Sequence, residues 1–300
     1  MKDEFLITGG CGFLGSSLVK RLAGRYKIVI LDYNATEQPR YSMLAGLPDV
    51  EIFDSASSDP ESLFEGHKYK AVIHTATRYG KTNESVSGIL KTNIQLPVRL
   101  MELAARQKVH AFINTDSFFV KNPALISNYL DAYVISKRQV AEWMQLFSSS
   151  VKMLNLRLEH VFGPFDNPDK FVAWLMHRML SGEPAIELTD GSQKRDFIYI
   201  DDVVQAFEVV MSSLESLDKN YTTFEVGYGS SVKVRHFVEY LKKATGCSAD
   251  LLFGAVPHRQ DELKDSKANN RSLKDLGWSP EFTLEQGIDR MVSLVKQNIS

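Results

Sequence analysis

Short apolar runs alternate with segments of helical periodicity through the first half of the chain. Each run predicts a buried strand, and they cover Phe5 to Ile7, Lys27 to Leu31, Val50 to Phe53, Ala71 to Ile73, Ala111 to Ile113 and Lys152 to Leu158. Amphipathic helices are predicted between several of these runs, including Ile89 to Ala105 and Asp131 to about Phe147. Pro97 inside the first helix predicts a kink or a late start. This alternation predicts a parallel sheet with helices on both faces.

The pattern changes after Gly163-Pro164, where short strands and helices follow one another less regularly. We therefore predict an α/β fold of the Rossmann type, a doubly wound parallel sheet with a smaller C-terminal α+β domain. The predicted boundaries give residues 1–165, with part of 197–215, to the dinucleotide-binding domain. Residues 166–196 and 216–300 form the predicted substrate domain.

Composition narrows the class of protein. The chain has 300 residues, 44% of them hydrophobic and 24% charged, and a formal net charge of −2. This balance favours neither nucleic acid nor an anionic membrane as a partner, and no apolar stretch is long enough to span a bilayer. The first strand begins too early to leave room for a signal peptide. Two cysteines, Cys11 and Cys247, indicate a reducing compartment and no metal site. We expect a cytoplasmic protein.

A glycine-rich turn follows the first strand. Gly9, Gly12 and Gly15 are spaced by three and lead into a helix that begins with Phe13 and Leu14. Gly9 suits the tight turn, Gly12 the close approach of phosphates, and Gly15 the packing of helix on strand. Backbone N–H groups at the start of the helix would then meet a pyrophosphate. The turn therefore predicts dinucleotide binding.

Two acids follow the second and third strands. Asp32 ends the second strand, where a carboxylate accepts hydrogen bonds from the adenosine ribose and repels a 2′-phosphate, so NAD is the predicted cofactor. A loop-capping role is the alternative, and the nearby Arg40 leaves NADP open. Asp54 ends the third strand, where it either meets the adenine or belongs to a solvated turn.

Small residues follow the fourth strand. Thr75 and Ala76 would let the backbone pass close to the cofactor, and Asn93 in the next helix is also predicted to contact it. His74 is interpreted as a packed, hydrogen-bonded residue rather than a ligand.

The predicted chemistry centres on Tyr133 and Lys137. They lie four residues apart on one helix and therefore point to one face. An ammonium beside a phenol stabilises the phenolate, which makes Tyr133 a usable acid or base near neutral pH. Thr115 ends the fifth strand, and its hydroxyl could hold a substrate oxygen at the same edge of the sheet.

These features resemble the extended short-chain dehydrogenase/reductases, and more narrowly their NAD-dependent epimerase/dehydratase branch. The resemblance runs nearly end to end and rests on the glycine turn, Asp32, Thr115, Tyr133-x-x-x-Lys137 and Arg195-Asp196-Phe197. It implies a nucleoside-diphosphate sugar as substrate and Thr115, Tyr133 and Lys137 as the catalytic set. Lys137 would also hold the nicotinamide ribose.

A narrower resemblance is to CDP-abequose and CDP-paratose synthases, which reduce C4 of a CDP-4-keto-3,6-dideoxyhexose. It is carried by the segments His74 to Gly80, Asn114 to Phe119, Arg157 to Pro164 and Ser266 to Asn270. The resemblance implies substrate contacts for seven residues, Thr77, Asp116, Ser117, His160, Lys170, Arg195 and Arg259. For the two arginines the alternative is a surface ion pair.

Three positions in these segments bear on the reaction. The dehydratases of the branch carry an Asp-Glu pair after the Thr, whereas here Asp116 is followed by Ser117, which argues against dehydration. Asp116 either orients the sugar or caps the strand end. His160 stands where most relatives have Asn, which indicates either an altered substrate pocket or a packed residue.

The first hypothesis is an NAD(P)H-dependent C4-ketoreductase of a nucleoside-diphosphate 4-keto-(di)deoxyhexose of the CDP or dTDP type, in deoxysugar biosynthesis for surface polysaccharide. The alternative is an NAD-dependent epimerase with tightly bound cofactor, and a third hypothesis is a non-catalytic NAD(P)-sensing protein. The resemblance also implies a homodimer through the helices around Asn93 to Ala105 and Tyr133 to Phe147. Trp143, Met144 and Phe147 either serve that contact or face this chain's own sheet.

Overall fold

The computed structural model describes residues 2–80, 84–121, 130–258 and 262–299. Its strands are β1 Glu4–Thr8, β2 Lys27–Asp32, β3 Val50–Asp54, β4 Tyr69–His74, β5 Ala111–Ser117, β6 Lys152–Leu158, β7 His160–Phe162, β8 Ala185–Leu188, β9 Lys194–Arg195, β10 Phe197–Tyr199, β11 Tyr221–Val226, β12 Val232–Lys233 and β13 Asp250–Phe253. Its α-helices are α1 Phe13–Leu22, α2 Tyr41–Ala45, α3 Val86–Leu90, α4 Leu96–Arg106, α5 Asp131–Phe147, α6 Phe171–Leu180, α7 Ile200–Ser212, α8 Val234–Thr245, α9 Arg271–Asp275 and α10 Leu284–Ile299.

The six predicted strands form one sheet, in the order β11-β6-β5-β4-β1-β2-β3. The pairs β1/β2, β2/β3, β1/β4 and β4/β5 are parallel, which confirms the predicted Rossmann-type α/β class. The seventh strand, β11, was not predicted. It lies at the sheet edge, and its alternating half-buried residues give a weaker hydrophobic signal than the central runs.

Apolar side chains of the central strands and two helices make the core that holds the site in place. Leu6, Val72 and Phe112 from the sheet are buried in one cluster with Met101 of α4 and Met144 of α5. Helices α4 and α5 therefore cover the same face of the sheet. The position of α5 matters most for function, because this helix carries Tyr133 and Lys137.

The helical stretch around Pro97 is interrupted, as its position in the sequence predicted. Helix α3 passes into a π-helical segment, Lys91–Gln95, and α4 then begins with Pro97 in its first turn. Proline is tolerated there because the first N–H groups of a helix have no intrahelical acceptor. The π segment carries Asn93, which the sequence assigned to the cofactor.

By its internal contacts the chain divides into two units. One comprises Met1–Arg157 with Phe207–Phe224, and the other Leu158–Ala206 with Glu225–Ser300. The predicted boundaries lay at 165, 197 and 215.

The second unit contains short two-stranded sheets, with β7 and β10 parallel, β8 and β13 parallel, and β9 and β12 antiparallel. It has an aromatic core in which the ring of Phe197 stacks on Phe237 with centroids 4.2 Å apart and Phe162 meets Phe237 edge-on at 5.5 Å. Within the described residues of the chain, no helix is long and apolar enough to cross a membrane.

Candidate active site

The turn between β1 and α1 is shaped by its glycines. Gly9 has a φ of +69°, and a Cβ there would lie 2.7 Å from the backbone of Ala76. A Cβ on Gly15 would collide with the carbonyl oxygen of Gly9. Gly10, which the three-residue spacing did not single out, packs against Ile30, whose side chain would be 2.6 Å from an added Cβ. Backbone packing on both sides therefore requires these glycines.

Gly12 differs, because a Cβ there would meet only the carbonyl oxygen of Gly9, at 3.1 Å. Gly12 is the N-cap of α1, which has no side-chain cap and no acidic residue in its first turn. The first turn of this helix therefore holds no acidic side chain of its own. This arrangement fits the pyrophosphate of a dinucleotide. Phe13 and Leu14 begin the helix, as the prediction requires.

Asp32 lies beside this turn. Its carboxylate accepts hydrogen bonds from the backbone N–H of Cys11 at 2.7 Å and of Tyr33 at 2.8 Å. Burial raises the pKa of Asp32, and these two hydrogen bonds oppose the rise. The carboxylate thus caps the turn, while its predicted contact with the ribose stays a prediction. The Arg40 guanidinium also reaches the turn, donating to the Cys11 carbonyl oxygen at 3.3 Å.

The Asp54 carboxylate and the Cys11 thiol, near the same edge of the sheet, have structural roles in their described contacts. Asp54 accepts backbone N–H groups of Asn34 at 2.9 Å and Ala56 at 2.8 Å, which is the turn role. The Cys11 thiol is fully buried, and its pKa is raised to about 12 by burial and by the Asp32 carboxylate. Cys11 is therefore a packed thiol and not a nucleophile at neutral pH.

The segment after β4 binds the glycine turn on one side and α5 on the other. Thr75 donates its hydroxyl to the carbonyl oxygen of Thr8 at 2.7 Å. Thr77 accepts a hydrogen bond from Nζ of Lys137 at 3.0 Å. His74 is buried, its Nδ1 lies 2.7 Å from the Thr8 hydroxyl, and burial lowers its pKa to about 3. The interpretation of His74 as a packed, hydrogen-bonded residue is confirmed.

Asn93 fastens this segment to the catalytic helix. Its amide oxygen accepts the backbone N–H of Arg78 at 2.8 Å, and its amide nitrogen donates to the Arg78 carbonyl oxygen at 2.8 Å and to the Ser136 hydroxyl at 3.0 Å. Asn93 is 2% exposed. Its contacts in this structure hold the backbone around the site, and its predicted contact with the cofactor stays a prediction.

Lys137 is buried on α5. Its Nζ donates to the carbonyl oxygen of Thr115 at 2.8 Å as well as to Thr77. Burial lowers the pKa of Lys137 to about 8, and the Asp116 carboxylate opposes that shift. The amine is therefore still mainly protonated at neutral pH.

Tyr133 lies one turn before Lys137 and is 4% exposed. Nζ of Lys137 is 5.8 Å from the centre of its ring, and the ring of Tyr79 packs against it at 4.9 Å. The sequence led us to expect a lowered pKa, but the pKa of Tyr133 is raised well above its usual value, first by burial and then by Tyr79, with Asp116 adding to the rise. Desolvation of the phenolate outweighs the ammonium, whose hydrogen bonds go to Thr77 and Thr115.

Thr115 lies in β5, two residues before the strand ends at Ser117, and its hydroxyl oxygen is buried. Within the described residues this oxygen has no hydrogen-bond partner. Buried hydroxyls usually have one, so this oxygen is suited to a ligand. The structure thus brings the three predicted catalytic residues together, since Lys137 bonds the Thr115 backbone and lies beside Tyr133.

The side chain of Asp116 is buried, and its carboxylate is hydrogen-bonded to other groups of the protein. One carboxylate oxygen accepts the backbone N–H of Ser117 at 2.8 Å, and the other accepts Asn155 Nδ2 and Arg157 Nε, each at 2.9 Å. Asn155 is in turn held by Asn114 at 2.7 Å. Asn155 and Arg157 come from the neighbouring strand β6, and of these two only Arg157 lies in a segment that the sequence had singled out.

Three of the predicted substrate residues lie in the second unit. Burial, together with the charges of Arg195 and Lys170, lowers the pKa of His160 to about 3. The three are therefore electrostatic neighbours. Lys170 pairs with Asp166 at 3.0 Å, and the buried Arg195 pairs with Glu262 at 2.9 Å, so its ion pair is not a surface one. Arg259 lies outside the described residues.

Two of the segments that carried the narrower resemblance pack against each other in this unit. Ser266 donates its hydroxyl to the Glu159 carboxylate at 2.6 Å. The buried Asp196 accepts the backbone N–H of Ala268 at 3.0 Å, and its own carbonyl oxygen accepts the N–H of His160 at 3.0 Å. These sequence features therefore occur together for a structural reason.

Sequence reasoning did not identify Tyr79, Asn155 or Arg157 as part of the site. Tyr79 and Arg157 lie in quoted segments, but nothing in their spacing indicates contact with Tyr133 or Asp116. The one signal for Asn155 is that it is a polar residue in an apolar strand. A buried polar group needs a hydrogen-bond partner, so this signal could have indicated a contact. In the part of the chain that the structure describes, no group of three or more metal-binding side chains is assembled.

Residues 5–227 match the NAD dependent epimerase/dehydratase family, and the chain belongs to this family. Among curated relatives it is 35% identical over 298 residues to CDP-abequose synthase of Salmonella muenchen, covering 98% of both chains. Solved structures share the fold. UDP-glucose 4-epimerase of Thermotoga maritima with UDP-glucose has a TM-score of 0.85 at 24% identity, covering 99% of this chain and 100% of that one. UDP-glucose 4-epimerase of Thermus thermophilus with NAD has a TM-score of 0.80 at 23% identity, covering 98% and 99%.

These findings confirm the predicted family and fold class. They also confirm an NAD-dependent oxidoreductase acting on a nucleotide sugar, with NAD as the cofactor. In this structure Gly9, Gly12, Gly15 and the start of α1 fit the pyrophosphate, and Asp32 stands beside them. NADP stays a prediction that rests on Arg40.

Proposed function

We propose that this enzyme reduces the C4 keto group of a nucleoside-diphosphate 4-keto-(di)deoxyhexose, with a CDP-linked sugar as the first candidate substrate. The supporting observation is the 35% identity with a CDP-abequose synthase over 98% of both chains. Ser117 in place of the dehydratase Glu supports reduction over dehydration. The proposal assigns the reaction to the cytoplasm and to deoxysugar biosynthesis for surface polysaccharide.

Each catalytic residue has a defined task in this reaction. The nicotinamide cofactor, when bound, supplies the hydride to C4. Tyr133 donates its phenolic proton to the C4 oxygen, and Thr115 donates its otherwise unpartnered hydroxyl to the same oxygen. Lys137 stabilises the resulting phenolate through its ammonium charge and would also hold the nicotinamide ribose.

Substrate contacts follow from the sequence and the charges of the second unit. We propose that Arg195, Lys170 and Arg259 hold the nucleoside diphosphate, because arginine and lysine suit phosphate groups. His160 would be neutral beside them and could accept or donate a hydrogen bond. Thr77 is proposed at the sugar, beside Lys137. A thermal-shift comparison of CDP, UDP, dTDP and GDP would identify the base, and no stabilisation by any of them would contradict nucleotide binding.

The direct test is cofactor oxidation. We expect purified protein to oxidise one NADH or NADPH for each CDP- or dTDP-4-keto-deoxysugar converted, with the rate following the sugar concentration. Protein that purifies with NAD and interconverts nucleotide sugars without added cofactor would instead establish the epimerase alternative. No cofactor oxidation with any 4-keto sugar would contradict the reductase proposal.

We also propose that the enzyme is a homodimer through α4 and α5. Ile135, Trp143 and Leu146 lie along one face of α5 and are 44%, 41% and 64% exposed. Met144 instead belongs to the core, and Phe147 packs against it. We expect Leu146→Glu to produce monomers in analytical ultracentrifugation, with Leu252→Glu as the control that stays dimeric, because Leu252 is an exposed leucine of β13 and lies outside α4 and α5. A monomeric wild-type protein would contradict this proposal.

A further inference from the structure

Asn155 of β6 bonds the two residues on either side of Thr115. Its amide oxygen accepts a hydrogen bond from Nδ2 of Asn114 at 2.7 Å, and its amide nitrogen donates to the Asp116 carboxylate at 2.9 Å. We propose that Asn155 is a positioning residue: it clamps β5 to β6 before and after Thr115, and so fixes the direction of the Thr115 hydroxyl. The inference rests on the proposed function of Thr115 and deepens it.

The clamp lies at the end of β5 that has passed its pairing with β4. The paired register of these two strands ends at His74 and Asn114, whereas β5 continues to Ser117. Thr115 is therefore the first residue of β5 beyond this pairing. Strand β6 is the neighbour on the other side of β5, so a side chain of β6 is well placed to hold this end of the strand.

An asparagine suits this position because the two ends of its amide differ. The amide nitrogen of Asn114 needs an acceptor, and the Asp116 carboxylate, which also accepts Arg157 Nε at 2.9 Å, needs a donor. One amide supplies both at a fixed separation, whereas an aspartate has no donor and a leucine has neither group. Asn155, Asn114 and Asp116 are 0%, 1% and 2% exposed. A lost bond would therefore leave a buried polar group unsatisfied, which is costly.

A fixed backbone restricts the direction of the Thr115 hydroxyl. Threonine is branched at Cβ, so few χ1 angles remain once its backbone is fixed. The hydroxyl oxygen is buried and has no hydrogen-bond partner among the described residues, so the backbone rather than a bond of its own determines where it lies. The Thr115 carbonyl oxygen accepts Nζ of Lys137 at 2.8 Å, which ties the same backbone to α5. Asn155 supplies the corresponding tie to β6.

A double-mutant cycle on kcat tests whether Asn155 acts through Thr115. We expect Asn155→Leu to lower kcat about 10- to 100-fold, since a displacement of about 1 Å can cost about 100-fold. The KM for the sugar and the affinity for NAD should stay within about twofold. In a Thr115→Val background the same change should lower kcat by no more than about threefold, because the hydroxyl that it misplaces is already absent. Equal losses in the two backgrounds would overturn the proposal.

Leu154→Ala is the matched control for a general loss of stability. Leu154 precedes Asn155 in β6 and is also 0% exposed. A cavity at this position should lower Tm, while kcat stays within about threefold of wild type. A loss of kcat as large as that of Asn155→Leu would assign the effect to loosened packing of β6, and the positioning role would be wrong.

Amide hydrogen exchange tests the clamp without substrate. In the free full chain we expect Asn155→Leu to speed exchange about tenfold from Thr115 to Ser117, the size of one lost hydrogen bond, with β1 and β2 unchanged. Unchanged exchange would overturn the proposal, whereas the expected exchange without reduction of any 4-keto sugar would support the clamp and reject the reductase assignment alone. If Asn155→Leu does not fold, as judged by circular dichroism, Asn114→Ala decides the proposal. It removes one arm of the clamp, together with an amide oxygen that has no partner within the described residues, and both effects should appear at reduced size.

Discussion

Replacing Tyr133 with Phe is expected to lower kcat for ketone reduction by about 10²- to 10⁴-fold, the range of a lost general acid, while cofactor binding is retained. The ring of Tyr133 is buried against Tyr79 and lies beside Lys137, so Phe fills the same space and removes only the hydroxyl. In this variant the Thr115 hydroxyl can still polarise the carbonyl. No phenol remains to donate the proton, and no phenolate forms for Lys137 to stabilise.

Stopped-flow or steady-state oxidation of NADH or NADPH would measure the loss of turnover, and fluorescence titration would measure cofactor affinity. Tyr240→Phe is the matched control, because the Tyr240 hydroxyl bonds Asp289 in the second unit and has no part in the proposed site. Turnover of Tyr133→Phe within a few-fold of wild type would remove Tyr133 as the proton donor. Lost cofactor affinity would mean that the phenol holds the cofactor rather than the reacting oxygen.

The second large effect is expected at the glycine turn. Gly12→Val should weaken cofactor binding by about 100-fold or more, which corresponds to about 2.8 kcal/mol, with a much smaller change in Tm. Gly12 has a φ of −71°, which any residue adopts, and a Cβ there would need only a small shift of the Gly9 carbonyl. The branched side chain would stand at the start of α1, where the pyrophosphate is expected to bind.

Calorimetric titration with NAD and a thermal melt would test this pair of expectations. Gly46→Val is the control, since Gly46 has a φ of −85° and its added Cβ would make an ordinary contact 3.8 Å from the Ser42 carbonyl oxygen. Unchanged NAD affinity in Gly12→Val would contradict the assignment of this turn to the cofactor. A collapse of Tm would show instead that Gly12 is needed for folding, as the structure indicates for Gly15.

The fold was largely predictable from local pattern. Five central strands, β1, β2, β4, β5 and β6, are recognisable as apolar runs because most of their residues are buried. The helices beside them are recognisable by their amphipathic periodicity. The edge strand β11 was not predicted, and four of its six residues are only partly buried. The interruption at Pro97 was predicted, but neither the π-helical form of Lys91–Gln95 nor the bonds of its Asn93 to Arg78 and Ser136 followed from the spacing.

The site divides in the same way. Tyr133 and Lys137 share a face because a helix repeats every 3.6 residues, so their partnership follows from spacing. The direction of the Tyr133 pKa could not follow from spacing, since burial and the charge of Asp116 raise it against the nearby ammonium. Those influences come from strands and segments that are distant in sequence.

By itself the sequence determined the strand, glycine turn and helix that begin the chain, and the α/β class. These depend on local periodicity and on backbone conformations that only certain residues adopt. Through its family resemblance the sequence also predicted Thr115, Tyr133 and Lys137 as a catalytic set. Only the tertiary structure decided that Asp116 is bonded to Asn155 and Arg157, and that the ring of Tyr79 packs against Tyr133. Such contacts join neighbouring strands and helices, and burial at these contacts shifts the pKa values of the site residues. Neither the contacts nor the burial can be predicted from a local sequence pattern.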